Sequence, residues 1–122
     1  MKFLRYGLLA SAAIFTIAAD DVSVNGKWQV SLSISGTDRE QSCAFTQKDK
    51  ELTGTCETDR GTVKLTGKVD EKNVTWKYLS EYNGGPLTVV FQGAVDAASK
   101  ITGKVTVQEF GVAGEFTATQ AK

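Results

Sequence analysis

Residues 43–56 read CAFTQKDKELTGTC, and Cys43 and Cys56 are the only two cysteines in the chain. Between them sits a charged, turn-like centre, Lys48 to Glu51, flanked on both sides by alternating residue types. Cysteines so placed close a redox site, bind a metal, or staple the fold. A two-residue loop at Asp49 and Lys50 makes the stretch a hairpin in which Lys48 faces Glu51, Gln47 faces Leu52, Phe45 faces Gly54 and Cys43 faces Cys56. Counting outward from the loop, the cysteines fall at a non-hydrogen-bonded position, where opposed side chains approach most closely and a bridge fits.

The other two readings lose ground on chemistry. The C-x-x-C spacing of redox motifs is missing. The chain has no histidine, so the usual zinc ligand sets and the Ser-His or Cys-His pairs of nucleophilic catalysis lack a member. Neither a metal nor a cofactor is expected. A disulfide closing a loop of this length stabilises by about 3 kcal/mol in the chain-entropy model.

The hairpin belongs to a longer pattern. In KWQVSLSIS, residues 27–35, Trp28, Val30, Leu32 and Ile34 alternate with polar residues, the period of a half-buried antiparallel strand. The same period recurs over 39–48, 51–58, 61–69, 73–82, 87–95, 100–109 and 114–120. The intervening clusters SGTD, KDKE, TDRG, DEKN, NGGP, DAASK and FGVAG are short enough only for hairpins between neighbours. An all-β, eight-stranded antiparallel up-and-down meander follows, and closure into a barrel removes both of its open edges. Loops are expected at Asp59–Arg60, Glu71–Lys72, Gly84–Gly85 and Ala97–Ser99. On that count Gly54, Gly67, Gly93 and Gly103 point inward, Gly54 between Phe45 and Leu65, and Gly67 and Gly93 both beside Trp76. Strand glycines at such positions serve barrel curvature and ring packing, with a widened cavity as the alternative.

The domain occupies residues 20–122. Residues 1–19, MKFLRYGLLASAAIFTIAA, have a basic start at Lys2 and Arg5 and an apolar run ending in small residues, the layout of a signal peptide cleaved after Ala19. The run falls short of the about 20 residues a membrane span needs, so no membrane association is expected after cleavage. Export to the periplasm or medium agrees with a disulfide. With Lys2 and Arg5 set aside from the 14 basic residues, 12 remain against 14 acidic ones, a net charge of about −2. Charges of both signs alternate along the chain, which argues against nucleic acid as a partner.

Alternate loops of a meander barrel lie at opposite ends. Toward the end of the 49–50, 71–72 and 97–99 loops, the inward residues are Trp28, Leu52, Val69, Val74, Val95 and Ile101. Toward the other end they turn polar: Arg39, Gln41, Tyr78, Ser80, Tyr82 and Glu109. An apolar base beneath hydroxyls, one guanidinium and one carboxylate is the composition of a small-ligand pocket. Arg39 suits an anionic head group, and Tyr78 and Tyr82 can stack or donate hydrogen bonds. Alternatively Arg39 and Glu109 form only a rim ion pair. Glu109 is the one candidate general acid or base, and would need burial to raise its pKa.

The opening GKW at 26–28, with LTGTCE at 52–57, LTGKVD at 65–70, VTWK at 74–77 and FQGAVD at 91–96, resembles the avidins and, more distantly, the lipocalins. The resemblance implies a calycin-like barrel with Trp76 as a pocket residue. Biotin binding is not implied: Val30, Leu87, Val89 and Phe91 stand where avidins place polar or tryptophan contacts. GKW, repeated LTG and the closing GEFTAT at 114–119 resemble more closely a group of small exported bacterial β-barrel proteins with no settled function.

The expectation is a secreted barrel binding a small apolar or amphipathic molecule through Arg39, Gln41, Trp76, Tyr78, Ser80, Tyr82 and Glu109. The alternatives are a protein-binding or inhibitor module with a filled core, acting through loops 83–86 and 110–113, and a cofactor-free cyclase or isomerase.

Overall fold

The computed structural model describes residues 21–96 and 99–121, so the leader read over 1–19 lies outside the described residues. Eight strands follow in order: β1 (Gly26–Ile34), β2 (Thr37–Lys48), β3 (Glu51–Thr58), β4 (Gly61–Asp70), β5 (Asn73–Tyr82), β6 (Gly85–Val95), β7 (Ile101–Val107) and β8 (Val112–Gln120). Each pairs antiparallel with its neighbour, and β8 returns to β1, with Trp28 opposite Gln120, to close the barrel. The period-two pattern accounts for the walls. Trp28, Val30 and Leu32 are buried while Lys27, Ser31 and Ser33 face water, so each strand turns one face to the core.

Cys43 pairs with Cys56 in the expected register and the two form a disulfide, with Cα atoms 4.0 Å apart. That close approach is the mark of a non-hydrogen-bonded pair. Both sulfurs are inside the wall, in the core beside Phe45.

Two hairpins depart from expectation: β7 ends at Val107 and β8 begins at Val112, so the connection is 108–111 and not 110–113, and the β5–β6 turn is shifted. The β5–β6 loop is Asn83–Gly84, not Gly84–Gly85, so Trp76 faces Phe91 and Gly93 faces Val74. Both loop residues take positive φ, 53° at Asn83 and 79° at Gly84, as a two-residue hairpin turn of the favoured hand requires, and Asn-Gly meets that need. The correction slides β6 by two residues and therefore leaves its inward face unchanged. Gly93 instead opposes Gly103, whose absent Cβ would lie 2.0 Å from the Gln92 carbonyl oxygen. The two glycines let β6 and β7 approach at a bend of the wall, and Phe116 fills the space beside them. They serve curvature and packing, and open no cavity there.

Aromatic rings fill the middle of the barrel. Trp76 stacks on Phe91 with centroids 4.8 Å apart and planes 10° from parallel. Phe45 and Phe116 close on Trp76 at 4.9 and 5.2 Å, the first tilted and the second edge-on, and edge-on contact is an arrangement that aromatic quadrupoles favour.

One end is stoppered by the segment preceding β1. Val24 is fully buried, and its N–H donates to Gln47 Oε1 at 2.8 Å. Gln47 Nε2 in turn donates to the Val22 carbonyl at 2.9 Å, and Val22 N–H to the Glu71 carbonyl at 2.8 Å. Asp21 accepts from the Glu71 N–H at 2.7 Å and pairs with Lys50. These bonds tie the stopper to the loops at 49–50 and 71–72.

Candidate functional site

The opposite end remains open as a cup of about 450 Å³, within the size range of small-molecule sites. Leu32 and Ile34 of β1, Leu87 and Val89 of β6, Val107 of β7 and Val112 of β8 form its apolar wall. Depressions of about 560 and 500 Å³ also lie on the outer surface. Those are lined mainly by outward-facing and loop residues, whereas the cup is lined mainly by the inward faces of the strands at the barrel end.

Gln41 and Tyr78 make the polar floor. Tyr78 is carried inward by the parity of β5, and Gln41 by that of β2. Gln41 Nε2 donates to the Tyr78 hydroxyl oxygen at 2.6 Å. Burial pushes the Tyr78 phenol above its usual pKa, with the Gln41 bond opposing that shift, so the hydroxyl stays protonated at neutral pH. Gln41 is only 6% exposed, and its Oε1 has no hydrogen-bond partner. A buried amide oxygen left unpaired costs about 1 to 3 kcal/mol; Gln41 lines the cup, but this oxygen is itself buried and meets a guest only if the amide turns toward it.

The mouth is charged and aromatic. Arg39 pairs with Asp59, and both line the cup. Arg60 lies over the Tyr82 ring, 5.0 Å from its centroid, and Tyr82 meets Phe110 edge-on at 5.7 Å. Tyr82 and Phe110 are 43% and 57% exposed, large apolar surface left in water at the rim. Ser80 lines the wall between floor and mouth.

Of the expected site residues, Arg39, Gln41, Tyr78, Ser80 and Tyr82 are thus brought together, and Trp76 and Glu109 are not. Trp76 lies a layer deeper, fully buried among phenylalanines, and its indole N–H finds no acceptor. Glu109 is displaced because β7 ends at Val107 and a single 3-10 turn, Gln108–Phe110, follows. That turn breaks the alternation that would have aimed Glu109 inward. Its carboxylate instead accepts from the Thr88 N–H at 2.6 Å and the Thr88 hydroxyl at 2.7 Å. These bonds, the backbone one foremost, hold its pKa below the usual carboxylate range. It forms no ion pair with Arg39, and a carboxylate so stabilised outside the cup is not the raised-pKa acid that chemistry inside would need.

Asp59 and Arg60 are not among the expected site residues, and Phe110 enters the expectation only through the 110–113 loop of the protein-binding alternative. The placement of the 59–60 and 110–113 loops at this end was the available signal for them.

No family model matches the chain, and no curated protein matches it. Among solved structures, the chain is similar to a redesigned β-barrel, with 17% identity over 81% of this chain and 92% of that one and a TM-score of 0.65. At that identity the likeness extends to the closed antiparallel barrel and no further.

Proposed function

We propose that the protein is an exported barrel that binds a small apolar or amphipathic molecule in the cup at its open end. The observation that carries this reading is Gln41, a buried amide with an unpaired oxygen at the floor of a cup with an aliphatic flank and a polar mouth. Folding gains the bond from Gln41 Nε2 to the Tyr78 hydroxyl but nothing from the unpaired oxygen, which costs free energy where it stands. A ligand that hydrogen-bonds the amide while covering the apolar wall supplies both missing partners. The Cys43–Cys56 disulfide supports export, because such bonds persist in oxidising compartments.

Native mass spectrometry of protein purified from its own source is the direct test, and a co-purifying small molecule is the expected result. The reading is abandoned if none appears and a broad ligand panel, biotin included, gives no thermal shift. The exposed rings of Tyr82 and Phe110 favour a second reading, in which the rim grips a protein partner. Binding of that kind would survive Gln41→Leu, whereas capture in the cup would not.

A further inference from the structure

Building on the cup-binding reading, we infer that the ligand is a bipolar amphipath, an anion whose far end carries a hydroxyl or amide-like group. Its polar tail pairs with Gln41 and Tyr78 at the floor, and its acid group with Arg60 at the mouth. The charged groups lining the cup are Arg39, Asp59 and Arg60. Arg39 and Asp59 neutralise each other. Arg60 has no acidic partner among the described residues: its recorded contacts are the Tyr82 ring and a long bond of 3.5 Å to the Glu81 carbonyl. One uncompensated guanidinium therefore stands at the mouth, with its fork of donors available to a carboxylate, sulfonate or phosphate. At the other extreme lies Gln41, 6% exposed, whose amide nitrogen bonds Tyr78 and whose oxygen has no partner among the described residues. Between them Leu32, Ile34, Leu87, Val89, Val107 and Val112 give the wall an aliphatic flank, with Ser80 beside it.

The spacing sets the ligand's length. Tyr78 at the floor and Tyr82 under Arg60 lie four residues apart on β5, about 13 Å at the rise of a strand. A molecule with polar groups at both ends of a medium-length apolar body spans that distance. A purely apolar guest leaves both ends unmet, and a short anion reaches only one.

Three probes of matched length separate the two ends: decanoate, its ω-hydroxy derivative, and the terminal decanediol, which keeps both hydroxyls but lacks the charge. Calorimetric titration on the intact mature chain should rank ω-hydroxydecanoate tightest. Arg60→Gln should lower its affinity about tenfold at low salt, the scale of one charge-assisted bond at an exposed site, and leave the decanediol unaffected. The tenfold difference should shrink as salt is raised. Gln41→Leu should weaken ω-hydroxydecanoate and the diol and spare decanoate. Thermal unfolding checks that Arg60→Gln still folds, since an exposed cation–π contact contributes little.

If the diol binds as tightly as the hydroxy acid and Arg60→Gln changes nothing, the anionic assignment is overturned and the cup reading stands. If decanoate matches ω-hydroxydecanoate, the bipolar assignment is overturned. If none of the three binds, the inference fails, and failure of the broader panel as well removes the cup reading beneath it.

Discussion

Trp28 Nε1 donates a hydrogen bond to the Val24 carbonyl at 2.9 Å, so the first barrel strand holds down the segment that stoppers its own end. The indole body covers the core while its one polar atom is satisfied by the chain four residues earlier. Gln47 bonds the same segment from the other side through Val24 N–H and the Val22 carbonyl.

Replacing Gln47 by Ala removes those bonds and strands buried backbone groups. The expected loss is about 1 to 3 kcal/mol, seen as a melting temperature lower by roughly 5 to 15 °C for a domain of this size. A change within a degree or two of wild type would show that residues 21–25 contribute nothing to stability.

Acid should act on the same end. The Asp21 carboxyl is held below its ordinary pKa of 3.8, first by the Glu71 N–H and next by Lys50. A carboxylate whose folded-state pKa is depressed adds stability above its unfolded value and loses it as pH falls through the folded one. Asp21→Asn, a stand-in for the protonated acid, should therefore melt lower than wild type at neutral pH, with the gap closing below about pH 4. Lys50, raised above 10.5 by Asp21 and then Asp70, contributes in the opposite sense. Its share is present below that value and is lost as pH rises through the folded pKa. Chemical denaturation across pH measures both limbs.

The disulfide closes a loop with a sequence separation of 13, so Cys43→Ala with Cys56→Ala should cost about 3 kcal/mol. The melting temperature is expected to fall by roughly 10 to 20 °C. The strand signal in far-ultraviolet circular dichroism should persist at low temperature, and binding in the cup should survive, since neither cysteine lines it.

Two glycine substitutions should differ sharply. A Cβ at Gly103 would meet the Gln92 carbonyl oxygen at 2.0 Å, whereas at Gly85 the nearest atom is 3.6 Å away. Gly103→Ala forces the β6–β7 backbone apart and should destabilise by more than about 3 kcal/mol, while Gly85→Ala should stay within about 1 kcal/mol of wild type. Equal effects would show that the glycines are not what permits the close approach.

Gln41→Leu tests whether the floor is built for binding or for folding. The substitution removes the unpaired oxygen and, with it, the bond to the buried Tyr78 hydroxyl, so the two effects offset and the melting temperature should stay within a few degrees of wild type. Marked destabilisation would make Gln41 a structural residue and weaken its assignment as a ligand contact.

Strand identity, facing and most of the register were legible along the chain. Period-two alternation is local, and a two-residue turn between Lys48 and Glu51 places Cys43 opposite Cys56 with no further information. Where legibility failed, alternation had been carried past its local basis. Glu109 sits beyond the last residue of β7, where a 3-10 turn stabilised by Thr88 re-aims it. The β5–β6 register turned on Asn83–Gly84 against Gly84–Gly85, and since both pairs tolerate positive φ at each position, the turn residues alone do not decide; in the folded barrel the first is taken and Trp76 faces Phe91.

The sequence by itself therefore determined the closed meander, its inward face, its staple and the polar character of one end, because each follows from neighbours along the chain. Only the tertiary structure decided that rings of Trp76, Phe91, Phe45 and Phe116 fill the middle and that residues 21–25 seal one end. It also decided that Asp59 neutralises Arg39 while Arg60 stands over Tyr82 with no acid paired to it among the described residues. These outcomes depend on side chains from distant strands competing for one enclosed volume and for each other's charge, and no local pattern records which competitor wins.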